Sequence, residues 1–381
     1  MPKILIFSIA YHPFVGGAEI AVKEITDRNL DFEYYLITNK FDSAWPDEEK
    51  IGHINVRRVG AGKKWDKYLY PFRAFRYAWR LHKVVHFDFV WSIMAFYAGV
   101  TALFFKYFSK IPYLLTLQSG DSDEFIQKRT WWWKFYYQRV YRNAKITQAI
   151  SQYLAKRSRK AGNRGEIILV PNGVDLSLFQ ANVSAKEKLA LKKSFNIADD
   201  DFVLISVSRL VLKNAIDDVI KALNFLLYKS GLKVKLILIG SGPDEQALKN
   251  LSLNQGVADN VIFLGHKDYT ELPRYLQIAD VFIRPSLSEG LGNAFLESMA
   301  VGVPVIGTEV GGIPDFLVNN ETGLFCEVKN PSSIAKAVER YSQDHELFQK
   351  IKINGKNLVQ EKYSWDKIAT QMRVIFNKML N

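Results

Sequence analysis

Short apolar runs separated by amphipathic stretches set the organisation of this 381-residue chain. KILIFSI (3–9), FEYYLITN (32–39), INVRRV (54–59), FDFVWSI (87–93), PYLLTLQ (112–118), AKITQAI (144–150) and EIILVPN (166–172) read as strands. The helical stretches between them predict a parallel sheet covered on both faces. The pattern restarts after PNGVD (171–175). DFVLISVSRL (201–210), VKLILIG (234–240), VIFLGH (261–266), DVFIRPS (280–286), PVIGT (304–308) and GLFCEV (323–328) are again short buried strands. The expected fold class is α/β, with two Rossmann-like, doubly wound domains facing each other across a cleft and divided at 172/173. Ligands of such sheets bind at the carboxyl ends of the strands, which with two domains means the cleft.

Composition narrows the class. A hydrophobic content of 48% and a charged content of 24% describe a soluble globular protein. A single cysteine, Cys326, excludes an internal disulfide and fits a reducing cytoplasm. The first residues, MPKILIFSIAYHPF, read as a buried strand and not as a leader. IMAFYAGVTALFF (93–105) falls short of the ~20 residues a bilayer span needs and reads as a buried helix.

Charge is uneven. Residues 1–172 hold 27 Lys+Arg against 15 Asp+Glu, a balance of +12, whereas 173–381 hold 24 against 24. Seven of the eight tryptophans also lie in the first part, which points to an anionic partner. KKWDKYLYPFRAFRYAWRLHK (63–83) and QKRTWWWKFYYQRVYR (127–142) mix aromatic and basic residues. That mixture suits an anionic membrane surface, or else a core with solvated cations. No nucleic-acid motif is present, so nucleic acid is not expected as a partner.

The chemistry concentrates in SEGLGNAFLE. This block follows a strand, turns on Gly290 and Gly292 around Leu291, and opens a helix near Asn293. Free N–H groups at a helix start can bind a diphosphate, and the carboxylates one or two turns away, Glu289 and Glu297, are suited to accept from sugar hydroxyls, or else are a solvated capping acid and a surface acid. Gly16 and Gly17 follow the first strand, where they allow a ligand close to the backbone or simply make a turn. GSGPDEQAL (240–248) reads as turn and first-turn residues, with Pro243 among them. The D-S-D at 121–123 reads as a helix N-cap. His82 and His86 read as a helix face with no third metal ligand, and GAGKK (60–64) lacks P-loop spacing.

YHPFVGGAE (11–19), LLTLQSGD (114–121), VPNGVD (170–175), VSRLVLKN (207–214), IGSGPDEQAL (239–248) and the long run from RPSLSEGLGNAF to ETGLF together resemble family 4 glycosyltransferases. These are retaining enzymes of the GT-B fold, and the resemblance covers nearly the whole chain. KYSWDKIATQM (362–372) resembles their closing helix, so 363–381 is expected to cross back from a donor domain, 173–362, onto an acceptor-side domain, 1–172. The resemblance implies metal-independent, retaining transfer of a hexose-type sugar from a UDP- or GDP-sugar. The acceptor would be a glycan or lipid-linked, in cell-surface polysaccharide or glycolipid synthesis, and no cofactor is implied. The expected location is cytoplasmic, peripheral on the inner face of the plasma membrane.

Residue by residue, the resemblance gives Glu289 the donor sugar and Glu297 the ribose. Arg209 and Lys213 would neutralise the leaving diphosphate, or else form a surface pair. Gly16, Gly17 and the turn Gly290, Leu291, Gly292, Asn293 would lie along the donor. His266 and Lys267 would lie at the nucleotide base. His12 would border the acceptor or sit structurally at a strand end, and Asp121 would orient donor or acceptor. Arg284 points toward the same strand ends or is structural. Two departures stand out. Gln118 replaces a usual histidine, and Lys213 comes one residue early, leaving Asn214 in the usual lysine position. Two other readings are a nucleotide-sugar epimerase of the same fold and a non-catalytic binding subunit.

Overall fold

The computed structural model describes residues 1–14, 16–131 and 134–381, so that Val15, Trp132 and Trp133 lie outside the described residues. The chain divides into two compact units, 1–172 with 365–381, and 173–364.

Unit 1 is built on eight strands: β1 (Lys3–Phe7), β2 (Glu33–Asn39), β3 (Glu48–Ile51), β4 (Ile54–Val59), β5 (Phe89–Ile93), β6 (Tyr113–Leu117), β7 (Ile146–Ala149) and β8 (Glu166–Leu169). Their order is β3-β4-β2-β1-β5-β6-β7-β8, parallel throughout except for the β3–β4 pair. The central strands KILIF, FVWSI and YLLTL are almost wholly buried, as strands covered on both faces must be. β3 is an edge strand the apolar pattern does not reveal, because EEKI carries three charged residues and is mostly exposed. The apolar run at 93–105 is divided between the end of β5 and the helix Tyr97–Ser109.

The helix Trp365–Leu380 belongs to unit 1. It buries Trp365, Ile368, Met372, Ile375, Phe376 and Met379, a helical stripe, in the core that also holds Ile4, Phe89 and Trp91. The Phe376 ring lies 5.1 Å from Trp91 and 5.4 Å from Phe32. Tyr363 and Ser364 stay with unit 2, where the Tyr363 carbonyl accepts from the Val174 N–H at 2.7 Å. The crossing therefore begins at 365 and not at 363.

Unit 2 holds β9 (Phe202–Val207), β10 (Val234–Ile239), β11 (Val261–Gly265), β12 (Val281–Arg284), β13 (Val305–Thr308) and β14 (Leu324–Cys326). The order β11-β10-β9-β12-β13-β14 is all parallel. Chain order reverses between β9 and β12. That reversal is the topological switch point at which doubly wound sheets open a crevice beyond their carboxyl ends.

Candidate active site

The loops that leave β9 and β12 flank the switch point. They carry Arg209 and Lys213 on one side and the Glu289–Asn293 turn on the other. They are stitched together, since the Leu287 N–H donates to the Lys213 carbonyl at 2.7 Å and the Arg284 guanidinium reaches the Val207 carbonyl at 3.3 Å. The Asn214 amide, buried, donates to the Arg209 carbonyl at 2.6 Å, so it braces the loop from which the exposed Arg209 and Lys213 side chains project.

Arg284 organises the site. Its guanidinium meets Glu289 Oε2 at 2.6 Å and lies 4.9 Å from the centroid of the Phe295 ring, with the arginine side chain only 8% exposed. The other Glu289 oxygen accepts from the Gly290 N–H at 2.9 Å. Glu297, on the helix Asn293–Val301, is buried, and burial pushes its carboxyl up to about 7 against the lowering pull of Arg284. One buried cation thus pairs with Glu289 and acts electrostatically on Glu297. The hydroxyls of Ser206, Ser208 and Ser286 and the Arg284 Nε are also buried there without a protein partner. Groups left that way at strand ends need an explanation, and a polar ligand supplies one.

The helix start is shaped by glycines. Gly292, its N-cap, has φ 104° and supplies no side-chain cap. The Leu291 side chain is buried at 1%, so only its backbone can face a ligand. Gly311, at φ 58°, packs its Cα against the Glu289 carbonyl, where an added Cβ would overlap the oxygen. Gly311→Ala is expected to cost more than ~2 kcal/mol from strain and overlap. An unchanged urea midpoint for that variant would refute this packing.

Other expected residues fall further out. His266, exposed, and Lys267 follow β11 at the sheet edge, and Gly240 reaches that turn by donating to the Gly265 carbonyl at 2.8 Å. Gly240 and Gly242 press against the Ser208 and Leu210 carbonyls, which makes GSGP a packing turn. Pro243 lies before the helix Glu245–Asn254 and not within its first turn.

In unit 1 the candidates also lie beyond strand carboxyl ends. Gly16 caps the helix Gly17–Arg28, and the Glu19 carboxylate occupies the space beside its Cα. Burial raises the Glu19 carboxyl, against backbone N–H groups of Glu19 and Gly16. The His12 carbonyl accepts from buried Arg58 at 2.6 Å, and burial, then Lys23, lowers the imidazole. Gln118 accepts from the Asn172 amide at 3.3 Å. Asp121 accepts from the Ser119 hydroxyl at 3.0 Å, and its carbonyl accepts from Arg157 at 2.6 Å. Ser122 caps the helix Asp123–Thr130, which accounts for the D-S-D run. The His82 Nδ1 accepts from the Phe87 N–H at 3.0 Å, closing its helix.

Two doubly wound α/β units in one chain are the fold class of the GT-B glycosyltransferases. The family model for glycosyl transferases group 1 matches residues 187–358, and that for glycosyltransferase family 4 matches 15–178. The chain belongs to glycosyltransferase family 4. It is 26% identical to an uncharacterized glycosyltransferase of Methanocaldococcus jannaschii over 99% of this chain and 98% of that one. It is 30% identical to the GDP-mannose-dependent alpha-(1-6)-phosphatidylinositol monomannoside mannosyltransferase of Mycobacterium tuberculosis over 60% of each. The chain spans only 52% and 50% of two further curated relatives. Among solved structures, HepE of Anabaena in complex with UDP-glucose superposes with a TM-score of 0.82 at 19% identity, covering 99% of both chains. No helix of the described residues is long and apolar enough to cross a membrane.

Proposed function

We propose that this glycosyltransferase moves a hexose-type sugar, with retention and without a metal, from a nucleotide diphosphate sugar to a lipid-linked or glycan acceptor. The carrying observation is the Arg284–Glu289–Glu297 cluster at the switch point of unit 2, beside Arg209, Lys213 and the helix start at Asn293. In this reading the diphosphate lies on the N–H groups after Gly292, and Arg209 and Lys213 neutralise it as it leaves. Glu297 accepts from the ribose and Glu289 from the donor sugar. His266 and Lys267 lie toward the base. Retention follows if the leaving phosphate assists attack on the face it departs from.

Unit 1 takes the acceptor, and the residues beyond β1 and β6, His12 and Asp121, border it. The exposed aromatic side chains of 63–83, and Trp131, Phe135 and Tyr136 of 127–142, hold the protein at an anionic membrane surface, the inner face of the plasma membrane. The phosphatidylinositol monomannoside in the mycobacterial relative's name and the UDP-glucose held by the Anabaena protein support this choice of substrates. The product is a cell-surface polysaccharide or glycolipid.

A thermal-shift panel of UDP, GDP, ADP and their sugar conjugates tests the donor site. A ligand at 100 times its dissociation constant adds about 2.7 kcal/mol, a visible shift. One base is expected to stand out, with activity unaffected by EDTA. No shift from any member of the panel would sink the assignment.

A further inference from the structure

β4 and the helix Asp66–Val85 gather five arginines, Arg57, Arg58, Arg73, Arg76 and Arg80, around a depression of about 230 Å³. Arg73, Arg76 and Arg80 stand three and four residues apart and share a helix face. Arg57 stacks over the Tyr77 ring at 4.9 Å. Three of the five are held by acids: Arg57 by Glu48 at 2.6 Å, Arg58 by Glu49, and Arg73 by buried Asp66 at 2.6 Å. The Nε groups of Arg57 and Arg58 are nonetheless buried without a partner. Arg76 and Arg80 are exposed and, among the described residues, have no acidic partner. Fixed guanidinium groups and two uncommitted ones therefore converge on one small space, beside a single lining acid, Asp47.

The same helix continues that cationic stripe toward its start as an apolar one. Trp65, Tyr68, Leu69 and Phe72, spaced i, i+3, i+4, i+7, are 49%, 60%, 38% and 65% exposed, and Arg76 and Arg80 follow at the next two turns. Planar guanidinium forks match phosphate oxygens. An apolar stripe beside them suits the boundary between acyl chains and headgroups.

We propose that this arginine pocket holds the phosphate of an anionic lipid headgroup while Trp65, Tyr68, Leu69 and Phe72 enter the bilayer surface. The proposal rests on the membrane-facing part of the function proposed above and is independent of its donor chemistry. It differs from diffuse attraction in requiring arginine geometry and not charge alone.

The test is co-sedimentation of the full chain with phosphatidylcholine vesicles, plain or doped with phosphatidylglycerol. Arg76→Lys/Arg80→Lys keeps the charge and removes the two uncommitted forks. It is expected to weaken binding to the doped vesicles about tenfold, with an unchanged melting temperature. Equal binding by this variant and the parent would reduce the patch to diffuse electrostatics and overturn the pocket. So would a parent that ignores doped vesicles. If inorganic phosphate stabilises the parent but not the variant, and vesicle binding is the same for both, the site takes free phosphate and the lipid assignment fails. The nucleotide panel reads the donor site separately, so failure of one reading leaves the other to be judged on its own data.

Discussion

Glu297→Gln is expected to raise the melting temperature at pH 8 and to weaken nucleotide binding at the same time. Burial raises the Glu297 carboxyl from its ordinary 4.5 to about 7. The folded state therefore binds more protons than the unfolded one between those values, and stability falls as pH climbs through that window. Below 4.5 the group costs nothing through this linkage. Above 7 the whole penalty is present, about 3 kcal/mol for a shift of this size. A neutral glutamine of the same shape removes it, which in a unit of this size corresponds to a rise on the order of 5–10 °C. If the carboxylate accepts from ribose hydroxyls, losing a charge-assisted bond weakens the nucleotide roughly 10- to 100-fold. The parent's nucleotide affinity should rise from pH 6 to pH 8, and the variant's should stay flat. Calorimetry across that range decides the matter. A variant that melts lower, or binds nucleotide as tightly as the parent, would remove Glu297 from the site. A buried acid that destabilises its own fold is the mark of a residue kept for its chemistry.

Arg284→Met is expected to act in the opposite sense. The pair it breaks is 8% exposed on the arginine side and 19% on the glutamate side, so Glu289 is left largely desolvated with no counterion. Breaking such a pair costs about 3 kcal/mol. The loss also removes the one charge that opposes burial at Glu297, whose carboxyl should titrate still higher. Arg284→Met/Glu289→Gln should recover part of the loss, because the stranded charge is gone. Arg284→Lys should fall between, keeping the charge but not the contacts to Val207 and Phe295. Urea unfolding of the parent, Arg284→Met, Glu289→Gln and the double variant tests the cycle. Strictly additive losses would mean that the pair is incidental.

The sheets were legible because buried parallel strands have nowhere to put polar side chains: KILIF, FVWSI and VKLILI cannot be mistaken. The EEKI strand was not, since an edge carries charge for solvent and against aggregation and looks like a loop. The Glu289–Asn293 turn was legible because its glycines and acids are contiguous. Arg284 remained ambiguous because its meaning depends on Phe295 and Glu297 folding back across it, which no spacing rule conveys. The orphaned hydroxyls of Ser206 and Ser286 were invisible for the same reason: burial without a partner is a property of three-dimensional packing. The arginine pocket draws Arg57 and Arg58 from a strand and three others from a helix, so the basic run 63–83 showed only part of it.

The helix Trp365–Leu380 gives the chain an unusual timetable. Most of unit 1 precedes unit 2 in the chain, yet unit 1 cannot seal its core until Trp365 and Phe376 have been made. Unit 2 is contiguous and has all its residues by 364. On the ribosome, the half synthesised second is the first to have its full complement, while the first half waits with part of its apolar interior uncovered.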